Sequence, residues 1–207
     1  MAQQSAGTRD VVEPVAGECR PLRADAARNR QRVLAAATEV FGESGVEASL
    51  EEIARRAGVG VGTLYRHFPT RADLIQQVYR GSVDDLVDSA DRLLQTMTGE
   101  EALDAWVQEF VGYVARKKGM ASALKAALGP DSAVVFADGR GRMELAVGRM
   151  IEAAVRDGTI RRDVEPGDLL RAISGVCIAA SATEEVERTR RVLRLVLDGL
   201  RYGAEKG

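Results

Sequence analysis

The sequence predicts an all-α protein, with an N-terminal three-helix head containing a helix-turn-helix and a larger C-terminal helical domain. Three observations predict it. Apolar residues recur at three- and four-residue steps through most of the chain after residue 25. Two helix-start signals, Ser49 with Glu52 and Thr70 with Asp73, stand directly before such runs. A glycine-rich break, Gly58 to Gly62, interrupts the periodicity, which then resumes at once.

The stretch 49–71, SLEEIARRAGVGVGTLYRHFPTR, organises the rest. The Ser49–Glu52 pair is expected to form a capping box that starts a helix at Leu50, with Leu50, Ile53, Ala54 and Ala57 as its apolar stripe. A tight turn is expected near Gly58 to Gly60. Val61, Leu64, Tyr65 and Phe68 then mark a second short helix, and Pro69 makes Phe68 its end. Two short helices about a glycine turn are the pattern whose second helix enters a DNA major groove. Helices this short are marginal alone. A first helix from about Asp25 or Ala26 to Glu43, with Val33, Ala37, Val40 and Phe41 on one face, supports them upstream; Gly45 is its expected left-handed cap. Downstream, Thr70 and Asp73 open a long helix to about Thr98, carrying Leu74, Ile75, Val78, Leu86, Leu93 and Met97, with Gly81 a candidate bend.

GVGVGTLYRHFPTRADL, preceded by a helix ending in FGESG, resembles the DNA-binding head of the TetR (tetracycline-repressor-like) family. The resemblance covers roughly residues 27 to 75, and Gly62 to Phe68 is its most specific part. It implies a homodimeric, all-helical regulator, usually a repressor, released from DNA when a small molecule enters the C-terminal domain. The candidate DNA-binding residues are Arg28, Ser49, Val61, Gly62, Thr63, Tyr65, Arg66, His67 and Arg71. Leu64 and Phe68 are expected to face the core, which leaves Thr63, Tyr65 and His67 to project polar tips towards phosphates or base edges. The resemblance puts Val61, Gly62 and Thr63 deepest in the groove. Arg71 stands where the family carries a phosphate-binding lysine, and Arg66 where several relatives carry an aromatic, so the operator does not follow from a relative.

Composition agrees. The 207 residues suit one small and one larger domain, here 25–72 and 73–207, after an arm at 1–24 that reads as disordered. Hydrophobic residues make up 45%, enough for a core, and the formal net charge of −2 excludes a polycation. Residues 20–71 nevertheless carry 9 Arg against 6 acidic residues, a mildly basic head on an acidic body. Arg20 and Arg23 of the arm would suit a minor groove, or a solvated tail. The two cysteines, Cys19 and Cys177, have no paired spacing, which points to a reduced, cytoplasmic setting. No apolar run approaches a membrane span, so no membrane partner is expected.

The body reads as further helices. Residues 100–118 carry Leu103, Trp106, Phe110 and Val114 on one face with Tyr113 beside them; 119–129 reads as a short separate helix. Residues 131–157 follow, with Gly139 and Gly141 as possible kinks, then a loop at 157–168 and two strongly periodic helices. Asp84, Asp85, Asp88 and Asp91 read as a solvated acidic face. The resemblance assigns the last two helices to a four-helix dimer interface, for which Leu170, Ile173, Cys177, Ala180, Leu193, Val196, Leu197 and Leu200 are the candidates, with Gly175, Ala179, Ser181 and Ala182 permitting close approach.

A small-molecule site is expected between the long helix and the helices at 100–118 and 131–157. Its candidate lining is Leu86, Leu93, Met97, Trp106, Phe110, Tyr113, Met120, Leu124, Phe136, Met143 and Val147, which suits a small hydrophobic or aromatic effector, with Tyr113, Arg116 or Lys117 as polar anchors. The same side chains would also fill an ordinary core. His67 is the single histidine, the glycines of GVGVG lack the strand and lysine of a phosphate loop, and no cofactor, metal or catalytic set is expected. The expected function is a repressor that binds a pseudo-palindromic double-stranded operator as a homodimer and is released by its effector. The alternative is a helical dimeric interaction or DNA-binding protein without small-molecule control.

Overall fold

A computed structural model describes residues 19–180 and 186–202, over which the chain forms eight α-helices and one 3₁₀ turn at Gly129–Asp131. Helix α1 (Cys19–Ser44) opens upstream of the expected Asp25. Pro21 does not prevent this, because first-turn N–H groups have no intrahelical acceptor to lose. The end of the expected arm is therefore helical. Residues 1–18, and the side chains of Arg20 and Arg23, lie outside the described residues.

α1 buries Val33, Ala37, Val40 and Phe41, and Gly45 ends it at φ 78°, a left-handed cap that favours glycine. Helix α2 (Leu50–Ala57) buries Leu50, Ile53, Ala54 and Ala57. Its C-terminus closes on Gly58 at φ 63°, with Gly58 N–H donating to Arg55 O (3.1 Å) and Val59 N–H to Ala54 O (3.0 Å), a Schellman pair. Helix α3 (Val61–His67) starts from Gly60, which offers no side-chain cap. It is held by packing instead: Leu64 and Phe68 are both buried.

The N-terminus of α2 differs from expectation. Ser49 Oγ accepts from Glu51 and Glu52 N–H (3.1 and 3.3 Å), but Glu52 does not return to cap the backbone. Its carboxylate binds Arg55 and Arg56, and Arg56 also reaches Glu43 of α1 at 2.7 Å. Two arginines thus make three ion-pair contacts with two carboxylates, and the Arg55 and Arg56 hydrogen bonds pull the Glu52 carboxyl down to about 2 from its ordinary 4.5. A carboxyl depressed in the folded state stabilises above its unfolded pKa and loses that contribution as pH falls through the folded one. The stability advantage of wild type over Glu52→Gln should therefore be full at neutral pH and vanish between about pH 4.5 and 2. Urea midpoints of both proteins across that range check it; a constant difference would contradict the ion-pair assignment.

Helix α4 (Arg71–Leu94) carries the complete capping box: Thr70 accepts from Asp73 N–H and donates its own N–H to Asp73 Oδ2 at 3.0 Å. It runs through Gly81 and stops short of Thr98, which instead caps helix α5 (Gly99–Leu128) in a second box with Glu101. α5 also runs unbroken through Gly119, so no separate helix exists at 119–129. A helical glycine costs about 1 kcal/mol, which the buried Met120 and Leu124 beside it offset. Helix α6 (Ser132–Arg156) passes through Gly139 and Gly141. The acidic run on α4 is exposed but not merely solvated: Asp84 pairs with Arg142 (2.6 Å) and Asp91 with Arg149 (3.0 Å), both on α6.

Helices α7 (Pro166–Ala179) and α8 (Val186–Arg201) follow a loop that does more than reverse the chain, since Arg161 N–H donates to Leu200 O at 2.8 Å. Arg201 then ties the end of α8 to Glu100 and Asp104 at the start of α5. α4 contacts α1 at its N-terminal end and α5 and α6 along the remainder, so one rigid helix belongs to both head and body. Among the described residues no helix is long and apolar enough to cross a membrane.

Candidate functional site

Helix α3 presents two faces. Leu64 is fully buried, while Gly62, Tyr65 and Arg66 are exposed and Val61, Thr63 and His67 half-buried. Tyr65, 44% exposed, is not packed between helices, and its hydroxyl is available to an outside partner. Arg66 makes no ion pair or hydrogen bond among the described residues, which leaves an uncommitted guanidinium beside it. His67 leans on Phe68, ring centroids 6.3 Å apart.

Three other candidates are committed within the chain. Arg71 Nη1 donates to the carbonyls of Val46 and Ala48, both at 2.7 Å, and so clamps the loop entering α2 onto α4. Both bonds leave from Nη1, and Nη2 and Nε donate to no described residue. Ser49 spends its lone pairs on the α2 cap and its proton on Glu51 Oε2 at 2.6 Å, so it offers a phosphate no donor. Arg28 is paired with Asp25 on its own helix. Arg30, on the same helix, donates from Nη2 to Gln77 (2.8 Å) while its guanidinium covers the Phe68 ring at 5.4 Å. That bond ties α1 to α4 across the end of α3.

The candidate effector region divides in two. Leu86, Trp106, Phe110, Tyr113, Met120, Leu124, Met143 and Val147 are buried together, with Leu93 and Phe136 half-buried at the margin. Trp106 is a core residue here: fully buried, its Nε1 donates to Leu86 O at 2.8 Å and its ring stacks on Phe110 at 5.4 Å. Its one polar group is thus already used within the chain. Met97 lies elsewhere, 41% exposed, in an open surface cleft of about 410 Å³ with Gly99, Arg149 and Arg156. The sequence reading missed Tyr79, which its spacing with Ile75, Val83 and Leu86 would have placed on the buried stripe of α4. Tyr79 meets Phe136 edge-on at 5.5 Å. Burial raises the Tyr79 and Tyr113 phenols above the usual tyrosine range, and burial lowers Lys117 below the usual lysine range.

The dimerisation candidates lie on or beside the chain's own packing seam. Leu170, Ile173, Cys177, Leu193 and Leu197 are buried inside one chain, where they join α7 to α8, α5 and α6; Ala180, Val196 and Leu200 are half-buried at the edge of that seam. A second apolar stripe on α8, Val192, Leu195 and Gly199, faces outward, with Leu195 71% exposed and Tyr202, just past the end of α8, 83% exposed. On α7, Gly175, Ile178 and Ala179 are exposed as well. Ser181 and Ala182 lie outside the described residues.

A helix-turn-helix head joined by a shared helix to an all-helical body defines a class of DNA-binding regulators. Comparison with known proteins places the chain within it. The family model described as bacterial regulatory proteins, tetR family, matches residues 33–78, and that described as transcriptional regulator SbtR-like, C-terminal domain, matches residues 98–202. The TetR transcriptional regulator SCO0520 from Streptomyces coelicolor is 44% identical, with a TM-score of 0.75 over 84% of this chain and 99% of that one. A TetR transcription regulatory protein from Mycobacterium vanbaalenii is 37% identical, with a TM-score of 0.69 over 87% of this chain and 99% of that one. An HTH-type transcriptional regulator of Staphylococcus aureus (strain USA300) is 45% identical over 64 residues, 30% of this chain and 35% of that protein, so the match spans about a third of that relative's length. The chain belongs to the TetR family of transcriptional regulators and is a regulator rather than an enzyme.

Proposed function

We propose that the chain is a ligand-responsive repressor that binds a pseudo-palindromic operator as a homodimer and leaves it when a small, largely apolar effector enters the body. The observation that carries this reading is α4. Its first turns bury Leu74 and Ile75 with the head, and its later turns bury Tyr79, Val83 and Leu86 with α5 and α6. The division between a head at 25–72 and a body at 73–207 falls inside this one helix, so the two parts cannot move independently. An effector that prefers one tilt of α4 changes the spacing of two heads, and equal affinity for both spacings would shift nothing. The exposed apolar residues on α7 and α8 support the dimer, and two heads about one helical turn apart match a palindrome.

Val61, Gly62, Thr63, Tyr65, Arg66 and His67 are the proposed DNA surface. Tyr65→Phe removes one hydroxyl from an exposed ring and should weaken operator binding roughly 10- to 150-fold, the range of a single net hydrogen bond to a charged group, with helicity and dimerisation intact. Electrophoretic mobility shifts with both proteins check it, and unchanged affinity would remove the polar role. The whole reading is tested on the promoter DNA adjoining the gene: the protein should bind it, and transcripts of neighbouring genes should rise in a deletion strain. A uniform fall would contradict repression, and absence of binding would leave the chain as a helical interaction protein.

A further inference from the structure

Two buried hydroxyls without hydrogen-bond partners and an ammonium without an ion pair meet where α4, α5 and α6 cross. The Tyr79 and Tyr113 side chains are 1% and 2% exposed, and neither hydroxyl has a hydrogen-bond partner. The two phenols are close enough to influence each other's ionisation. Lys117 stands one turn beyond Tyr113 on α5. Its ammonium lies 5.2 Å from the Tyr79 ring centroid, 5.5 Å from that of Tyr113 and 5.3 Å from that of Phe136. Among the described residues it makes no ion pair.

Packing alone does not account for this arrangement. Phenylalanine at 79 or 113 would fill the same space without an unsatisfied hydroxyl, and buried polar groups are ordinarily paired. The fold instead accommodates the hydroxyl. A Cβ at Gly139 would come within 2.9 Å of Tyr79 Oη and 3.3 Å of Val83, so α6 passes close only because residue 139 has no side chain. Lys117 and Phe136 are half-buried, the others buried, which marks the side from which the cluster can be reached.

Resting on the effector-released repressor reading, we propose that Tyr79, Tyr113 and Lys117 form the anchoring subsite for the effector, and that the effector is a small organic anion: a monocarboxylate on an apolar body. Its oxygens accept from the ammonium and from the two phenolic O–H groups, which supplies the acceptor that all three lack. Lys117, at the accessible edge and on a flexible stem, moves off the rings to pair with it. A cationic effector is disfavoured by the same residues, because the position over the three rings is already filled by a positive charge. Since Tyr79 is on α4 and Tyr113 and Lys117 are on α5, the anion draws together the two helices whose relation sets the head.

The test uses the full chain with benzoate, phenylacetate and octanoate, against benzamide, phenylacetamide and benzylammonium. At least one carboxylate should raise the thermal midpoint and bind in calorimetry, and the amides and the ammonium should not. Affinity for that carboxylate should fall at least 10-fold in Lys117→Met and at least 3-fold in Tyr113→Phe. Without any compound, Tyr113→Phe should melt at or above the wild-type midpoint, because it removes an unpaired buried hydroxyl. Equal binding of the neutral amides, undiminished carboxylate binding by Lys117→Met, no binding of any carboxylate, or a lowered midpoint for Tyr113→Phe would each overturn the subsite. Promoter binding by the compound-free wild type is scored separately: if it persists while the carboxylates fail, the anion subsite falls alone, and if it is absent the repressor reading falls as well.

Discussion

Leu195→Glu should convert the protein to a monomer and lower operator affinity roughly 10²- to 10⁴-fold, the factor expected when a second, tethered binding event is lost. Leu195 is 71% exposed in one chain, so the substitution removes nothing from the chain's own core. A large apolar side chain at the centre of an outward stripe with Val192 and Gly199 is what a partner helix would cover, and a carboxylate there would be buried unpaired. Ile178→Glu on α7, at a site 73% exposed, should act in the same way. Sedimentation, circular dichroism and operator titration on both variants distinguish the outcomes. Monomers with native helicity and weakened operator binding are expected. Persistent dimers would mean that the apolar stripe is not the interface.

Trp106→Ala should destabilise the body by about 3–5 kcal/mol, the usual cost of truncating a buried aromatic. In a chain of this size each kcal/mol lowers the thermal midpoint by about 2–4 °C. The side chain is 0% exposed, stacks on Phe110 and donates to the Leu86 carbonyl, so truncation opens a cavity at the crossing of α4 and α5 and removes a bond that joins them. Trp106→Phe should cost less, because the stack survives and only the N–H is lost. If Trp106→Ala instead melts like wild type and loses only response to a compound, the residue lines a ligand site and its assignment to the core is wrong.

Arg71 and Trp106 show where reading by residue type stops. Each was legible as a functional group: a cation beside the recognition helix, an aromatic with a donor on a body helix. Each uses that group inside the chain, on carbonyls 23 to 25 and 20 residues away in sequence. Tyr79 is the converse. Nothing in its spacing sets it apart from an ordinary buried helical residue, and its unpaired hydroxyl becomes visible only when α4, α5 and α6 are brought together.

The sequence by itself determined the features whose causes act over a few residues. Thr70 and Asp73 set the start of α4, Gly58 and Gly45 the left-handed ends of α2 and α1, and the alternation of Leu64 and Phe68 with Tyr65 and Arg66 the two faces of α3. Caps and backbone angles are local, so the all-helical fold and the DNA-facing head were readable from residue order. Only the tertiary structure decided which of two apolar stripes on α8 turns inward, because Leu193 and Leu197 are as apolar as Leu195 and differ from it only in what lies opposite. It also decided why Gly99 is glycine. A Cβ there would sit 2.2 Å from the Ala154 nitrogen, a clash set by the crossing of α5 and α6, whose residues meet only after the intervening chain has folded back.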